Sequence, residues 1–243
     1  MDDTFMSKVF EDKKCAELLL EIILKKKLTV IEVVSQYSVK NLQGRSARLD
    51  IYALDESGTH YNIEVQRSNG GAVPKRARYN SSLMDANISD IGENYDALPE
   101  TYVIFITEND VLKGNQPLYT INRKIEELDN QPFEDKSHII YVNGAIRDET
   151  ALGKLMQDFF CTETENMNYE VLAERAGYFK NDTEGVSGMC EIMEELRRDS
   201  IRESQIVIAQ KMLANGSLTM DLIAEITELT LEEVQALAEG KQI

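Results

Sequence analysis

No tryptophan occurs in this chain of 243 residues, and cysteine and proline are nearly as scarce, at three and four. Cys15, Cys161 and Cys190 lie far apart, with no histidine or second thiol at ligand spacing. Neither a disulfide framework nor a zinc site is expected, and the thiols read as idle. No run approaches the ~20 apolar residues of a membrane-crossing helix. The acidic opening MDDTFMSKVF lacks the apolar stretch of a signal peptide, so a cytoplasmic protein with no membrane segment is expected. Positive charge is short as well: 26 Lys and Arg stand against 43 Asp and Glu, a formal charge of −17. Such a balance speaks against a surface built throughout for phosphate.

The few cations are unevenly placed. Residues 24–48 hold six (Lys25, Lys26, Lys27, Lys40, Arg45, Arg48) against one acid, Glu32, and residues 67–80 hold four (Arg67, Lys75, Arg76, Arg78) against none. A locally positive groove on an acidic protein fits this distribution, and so does a solvated basic face. Length and a hydrophobic content of 42% suit one sizeable core plus an appendage.

Apolar spacing over residues 12–26 predicts an amphipathic helix, with Lys25, Lys26 and Lys27 suited to its C-terminal dipole. Residues 48–54 and 61–67 alternate apolar and polar around a glycine-containing turn, the clearest hairpin in the chain. Pro74 opens a helix to about residue 87. The β-rich run TYVIFIT at 101–107 reads as a strand covered on both faces, followed by strands at 118–124 and 138–143. Beyond residue 148 the pattern is helical. Three domain-level segments follow: a core at 1–160, a linker at 161–188 and a helical element at 189–243.

Gly58 fixes the hairpin register. A type I turn followed by a glycine bulge pairs Asp55 with Thr59, and counting outward sets Asp50 opposite Glu64. Leu49, Ile51 and Ala53 then share a face with Val65, Ile63 and Tyr61, while Asp50, Tyr52, Asn62, Glu64 and Gln66 collect on the other. Two carboxylates ~5 Å apart across adjacent strands repel unless a cation lies between them. Mg²⁺ is suited to that place, with Mn²⁺ or Ca²⁺ as substitutes and the Val65 carbonyl as a further ligand. Gln66, on the same face, can orient a water or touch a phosphate. Solvent-facing acids on a half-exposed hairpin would show the same spacing.

The string RLDIYALDESGTHYNIEVQRSN, followed by PKRARYNSSLMDANI, resembles the PD-(D/E)XK nuclease family transposases, relatives of the Rpn recombination-promoting nucleases. The matching residues are Arg48, Leu49 and Asp50, then Asn62, Ile63, Glu64, Val65 and Gln66, then Arg76 and Tyr79, within a likeness spanning roughly residues 1–160. It implies an α/β restriction-endonuclease-like core, a mixed sheet flanked by helices, with an all-α tail. It also implies Asp50 and Glu64 as metal ligands, with Gln66 where broader relatives keep a lysine, and Glu17 or Glu21 as a further acid. Arg76 and Tyr79, one helical turn apart, can approach the scissile phosphate. Arg48, Arg67, Lys75 and Arg78 are the candidates for contacting nucleic acid. Asn80 departs from the family pattern, and His60 and His138 form no ligand pair.

The tail reads as helices at 189–214, 219–228 and 231–239, the first ended by Asn215-Gly216 and the last begun by a Thr230/Glu233 capping box and ended by Gly240. The final pair has helix-turn-helix proportions, yet the last helix offers Glu232, Glu233, Gln235 and Glu239, a poor surface for base edges. A protein-interaction or homo-oligomerisation element is expected, with Met189, Ile192, Met193 and Leu196 packing inside it. The sequence thus yields two functional expectations. One is a Mg²⁺-dependent DNA endonuclease, with a link to mobile elements or recombination; the other is a nuclease-fold protein that binds or regulates without cutting.

Overall fold

The computed structural model describes residues 3–39, 46–89, 92 and 94–240. Lys40 and Arg45 of the first basic window lie outside them. The chain divides into two compact units, Met1–Lys180 and Asn181–Ile243.

The first unit runs α1 (Asp3–Val9), α2 (Lys13–Leu24), β1 (Val30–Val39), β2 (Ala47–Asp55), β3 (His60–Gln66), α3 (Pro74–Ile88) and β4 (Thr101–Thr107). It continues through β5 (Leu118–Ile121), β6 (Lys124–Ile125), β7 (Gln131–Pro132), β8 (Ser137–Asn143), α4 (Ala151–Phe159) and α5 (Glu170–Asn181). Six strands form one mixed sheet in the order β1-β2-β3-β4-β8-β5. The meander β1-β2-β3 is antiparallel, β3, β4 and β8 are parallel, and β5 returns antiparallel to β8. The α/β core flanked by helices agrees with the sequence expectation.

Local chemistry accounts for the element ends. Asp12 caps α2 by accepting from the amides of Lys14 and Cys15 at 2.9 and 3.2 Å, and the helix buries Cys15, Leu19, Leu20 and Ile23. Pro74 sits in the first turn of α3, where its missing N–H costs nothing. That helix bridges the parallel strands β3 and β4, and its Ala77, Leu83 and Met84 pack with Val103, Phe105 and Tyr141. On the opposite face Ile104 and Ile106 are equally buried. Each such side chain contributes about 1.5–3 kcal/mol of transfer free energy, so both faces of β3 and β4 anchor the hairpin.

Among the described residues α1, the edge strand β1 and the two-residue β7 fall where the sequence pattern names no element. The run Val30–Val39 does not alternate cleanly, because Gln36 takes a left-handed φ of 52° and shifts the pleat. The stretch read as a linker, 161–188, contains α5, whose Leu172, Ala176 and Phe179 are buried.

In the second unit, α6 (Thr183–Asn215), α7 (Met220–Thr227) and α8 (Leu231–Ala238) enclose a small core of Ala209, Ile223, Leu229, Val234 and Leu237. Gly216 closes α6 at φ 69°, and the Thr230/Glu233 capping box opens α8. Met193 is exposed, whereas the side chains of Ile192 and Leu196 lie outside the description. No helix among the described residues is long and apolar enough to cross a membrane.

Candidate metal centre on the β2–β3 hairpin

The turn has the geometry its glycine allows. Gly58 sits at φ 81°, its amide donates to the Asp55 carbonyl at 3.0 Å, and the Asp55 amide donates to the Thr59 carbonyl at 3.1 Å. The Asp55 side chain secures the loop by accepting from the amides of Ser57 and Thr59 and from the Tyr61 hydroxyl. Register follows outward through Leu54↔His60, Ala53↔Tyr61, Tyr52↔Asn62 and Ile51↔Ile63. Asp50 therefore falls at the level of Glu64, on the parity expected from the turn.

At that level the ladder changes character. The next main-chain pair would join Leu49 to Val65; instead the Val65 amide donates to Asp50 Oδ2 at 3.0 Å. Across the sheet, Gln36 with its left-handed φ lies opposite Asp50, between the pairs Ser35↔Ile51 and Tyr37↔Leu49. The irregularity moves Leu49 into the cluster beneath α3, with Val39, Ala77 and Phe105. It does not share the face of Ile51, as strict alternation predicts.

Glu64 is fully buried, and α3 supplies its partners. Arg76 Nη2 donates to Glu64 Oε2 at 2.6 Å, and Asn80 Nδ2 donates to Oε1 at 3.3 Å. Burial first, and the charge of Asp50 second, push the Glu64 carboxyl up to about 8, against the opposing pull of Arg76. Gln66 joins the two acids: its Nε2 donates to Asp50 Oδ2 at 3.3 Å, and its Oε1 accepts from Arg76 Nη1 at 3.4 Å. Arg76 Nη1 also donates to the Gly71 carbonyl at 2.8 Å. A Cβ on Gly71 would lie 1.9 Å from Gln66 Oε1, so only glycine leaves room for this packing. Asn62, on the same face of β3, is buried with neither amide atom completing a hydrogen bond. A buried polar group left so costs about 1–3 kcal/mol unless a ligand or water satisfies it.

Asp50, Glu64, Gln66 and Arg76 thus converge, and the cluster is completed by Gly71, which the sequence pattern passes over, and by Asn80, which it marks only as a departure from the family. Tyr79 packs with the hydrophobic cluster beneath α3. The acids of α2 serve the opposite end of the sheet. Glu17 Oε1 accepts from the amide of Val30, which pairs with Asp55 at the turn, and Glu21 pairs with Lys27 at 2.8 Å. Five residues of strand, roughly 17 Å, separate that end from Asp50. Lys26, over the ring of Tyr102 at 5.5 Å, and Lys27 are there too. The acid that reaches β1 at the level of Ile51 is Glu11, bonded to Ser35 and, at 2.5 Å, to Lys8. Arg48, Arg67, Lys75 and Arg78 are exposed. Among the described residues no three His, Cys, Asp or Glu side chains cluster as metal ligands, so any cation here would rest on two carboxylates, main-chain oxygen and water.

A family model described as PD-(D/E)XK nuclease family transposase matches residues 5–149. No curated protein and no solved structure gives a significant match.

Proposed function

The chain belongs to the PD-(D/E)XK nuclease family transposases and has their nuclease fold; on that premise we propose that it cleaves DNA phosphodiesters with a divalent cation held by Asp50, Glu64 and the Val65 carbonyl. The observation that supports this reading most is the convergence of two acids at a break in the ladder. Asp50 is fixed by the Val65 amide and Glu64 is buried beside it. The donor set suits a hard cation, because carboxylate and carbonyl oxygens with added water are what Mg²⁺, Mn²⁺ and Ca²⁺ accept. The unsatisfied amide of Asn62 leaves polar capacity on the same face. A carboxyl raised to about 8 is short of positive charge, and a cation would supply it.

When bound, such an ion supplies Lewis acidity toward a phosphate oxygen and eases ionisation of water. The chain's own groups do the rest. Gln66, tied to Asp50 and Arg76, presents an amide that orients water or a phosphate oxygen. Arg76 carries the positive charge that a lysine in the Gln66 position would have given, and it stands ready to pair with phosphate. Arg48, Arg67, Lys75 and Arg78 guide the backbone through charge.

Supercoiled plasmid tests the reading. Nicking is expected with Mg²⁺, Mn²⁺ or Ca²⁺ and is expected to disappear in Asp50→Asn and Glu64→Gln. Equal products from the parent and both variants would overturn it. One observation favours the second reading, a nuclease-fold protein that binds without cutting: Arg76 already stands against Glu64, at 2.6 Å, where a cation would approach. Under that reading the acidic C-terminal helices would engage a protein partner, and no divalent-ion heat would be lost on changing Asp50.

A further inference from the structure

Beside the end of β3 lies a cavity of about 410 Å³, lined by α1, α4, the segment after α4, and α5. Its walls include Phe5, Phe159 and Phe160, and two cations, Arg67 and Lys180, border it. Arg67 directly follows Gln66 in the chain, which ties the cavity to the end of β3. We infer that this cavity receives one unpaired nucleobase of the bound strand, with Arg67 and Lys180 holding its flanking phosphates.

Size, shape and charge favour that occupant. The volume falls in the roughly 300–1,000 Å³ range of small-ligand sites, and only a base freed from its duplex stack and pair can enter such a site. Aromatic walls stack on any base, since every base has a π-face. Phe160 is a pre-positioned platform because the Arg147 guanidinium lies 3.6 Å from its ring centroid and holds it. The cations are available. Arg67 is 60% exposed and its Nε lies 3.8 Å from Glu108, a loose surface pair that a phosphate can replace. Lys180 reaches across the wall, donating to the Thr162 carbonyl at 2.6 Å with its ammonium 5.4 Å from the Phe5 ring centroid. The one acid in the lining, Asp158, is spoken for: it accepts from the Asn168 amide at 2.7 Å, the Asn168 side chain at 2.8 Å and the Tyr169 amide at 3.0 Å. Its charge is compensated by these donors and does not repel a phosphate at full strength.

The inference takes from the nuclease reading only the partner, DNA, and its test is run without cutting. Full-length Asp50→Asn protein in EDTA is titrated with a ten-nucleotide single strand carrying a central 2-aminopurine, and with the same strand in a blunt duplex. Single strand is expected to bind at least ~5-fold tighter than duplex, given stacking worth about 1–3 kcal/mol per base. Cys161 lines the cavity, whereas Cys15 is buried and Cys190 is exposed in the second unit. In a Cys190→Ser background, alkylation of Cys161 should therefore plug the cavity. Plugging, and separately Phe160→Leu, should weaken single-strand binding about 5- to 100-fold and leave duplex binding unchanged; Arg67→Gln and Lys180→Gln should flatten its salt dependence. Single-strand affinity untouched by the plug, or lost in step with duplex affinity, would overturn the inference. Either result is independent of the plasmid assay, so a failed pocket and a failed nuclease are told apart.

Discussion

Asp50 gives Val65 the hydrogen-bond acceptor that the main chain of β2 withholds: its Oδ2 lies 3.0 Å from the Val65 amide nitrogen, one step beyond the last regular pair, Ile51↔Ile63. The carboxylate therefore ends the ladder and is positioned by doing so. The residue opposite, Gln36, carries a left-handed backbone that costs roughly 1–2 kcal/mol. Core burial on both sides of the sheet supports that strain, which coincides with the two acids.

Asp50→Asn and Asp50→Ala should separate holding the hairpin from holding a cation. The asparagine keeps an oxygen for the Val65 amide, so urea unfolding should differ from the parent by less than about 1 kcal/mol. Alanine strands that amide and should cost about 1–3 kcal/mol. Calorimetry should show divalent-ion heat with the parent and none with either variant. Equal heat in parent and asparagine variant would remove Asp50 from the ligand set.

The Glu64 carboxyl sits above its ordinary 4.5, at about 8. Between those values the folded chain holds more protons than the unfolded one, so stability is greatest below the lower value and declines as pH rises toward the upper. Metal-free protein should lose roughly 5 °C or more in Tm between pH 5 and pH 8, at about 2–4 °C per kcal/mol for this size. Glu64→Gln should flatten the profile, and Mg²⁺ or Mn²⁺ should restore the parent at pH 8. A parent profile as flat as that of Glu64→Gln would show that the carboxyl keeps its ordinary value.

Gly71 predicts a coupling that sequence spacing does not suggest. Alanine there meets the Gln66 amide oxygen at 1.9 Å, and a flexible side-chain end yields before backbone does. Gly71→Ala should therefore turn Gln66 away from Asp50 and Arg76 and lower nicking about 10-fold, with a small change in Tm. In a Gln66→Ala background the same substitution should do almost nothing, the non-additivity expected of groups in contact. Full additivity would mean that the glycine acts elsewhere.

The hairpin was readable from sequence because one glycine sets the turn and parity does the rest; Asp50, Glu64 and Gln66 needed no tertiary information. Its surroundings were not. Arg76 and Asn80 meet Glu64 only because α3 crosses over β3, and Asn80, a departure from the pattern that the resemblance implies, is buried as a donor to that carboxylate. Leu49 escaped the alternation rule through the irregularity opposite Gln36. Glu17 and Glu21 had suitable chemistry on a correctly placed helix, but the pairing of Val30 with Asp55 puts them at the turn. The edge strand β1 stayed hidden for the same reason as Leu49: a single left-handed residue breaks the period on which strand recognition rests.

Arg76 offers the sharpest discrimination between cutting and mere binding. Its guanidinium holds Glu64, Gln66 and the Gly71 carbonyl at once, which is the place a divalent cation would compete for. Arg76→Gln leaves the buried Glu64 carboxyl without the charge that favours its ionised form. The loss should stay below the ~3–5 kcal/mol of a fully enclosed pair, because the arginine side chain is 36% exposed. If the site takes metal, the competitor is gone, so Mn²⁺ should bind about 10-fold tighter in Arg76→Gln and recover most of the lost stability by linkage. Nicking should nonetheless fall, since the charge that would meet the phosphate is missing. If Arg76 is instead a permanent internal counterion, Mn²⁺ should neither bind more tightly nor rescue the variant. Calorimetry and thermal unfolding of the two proteins, with and without Mn²⁺, decide between these outcomes.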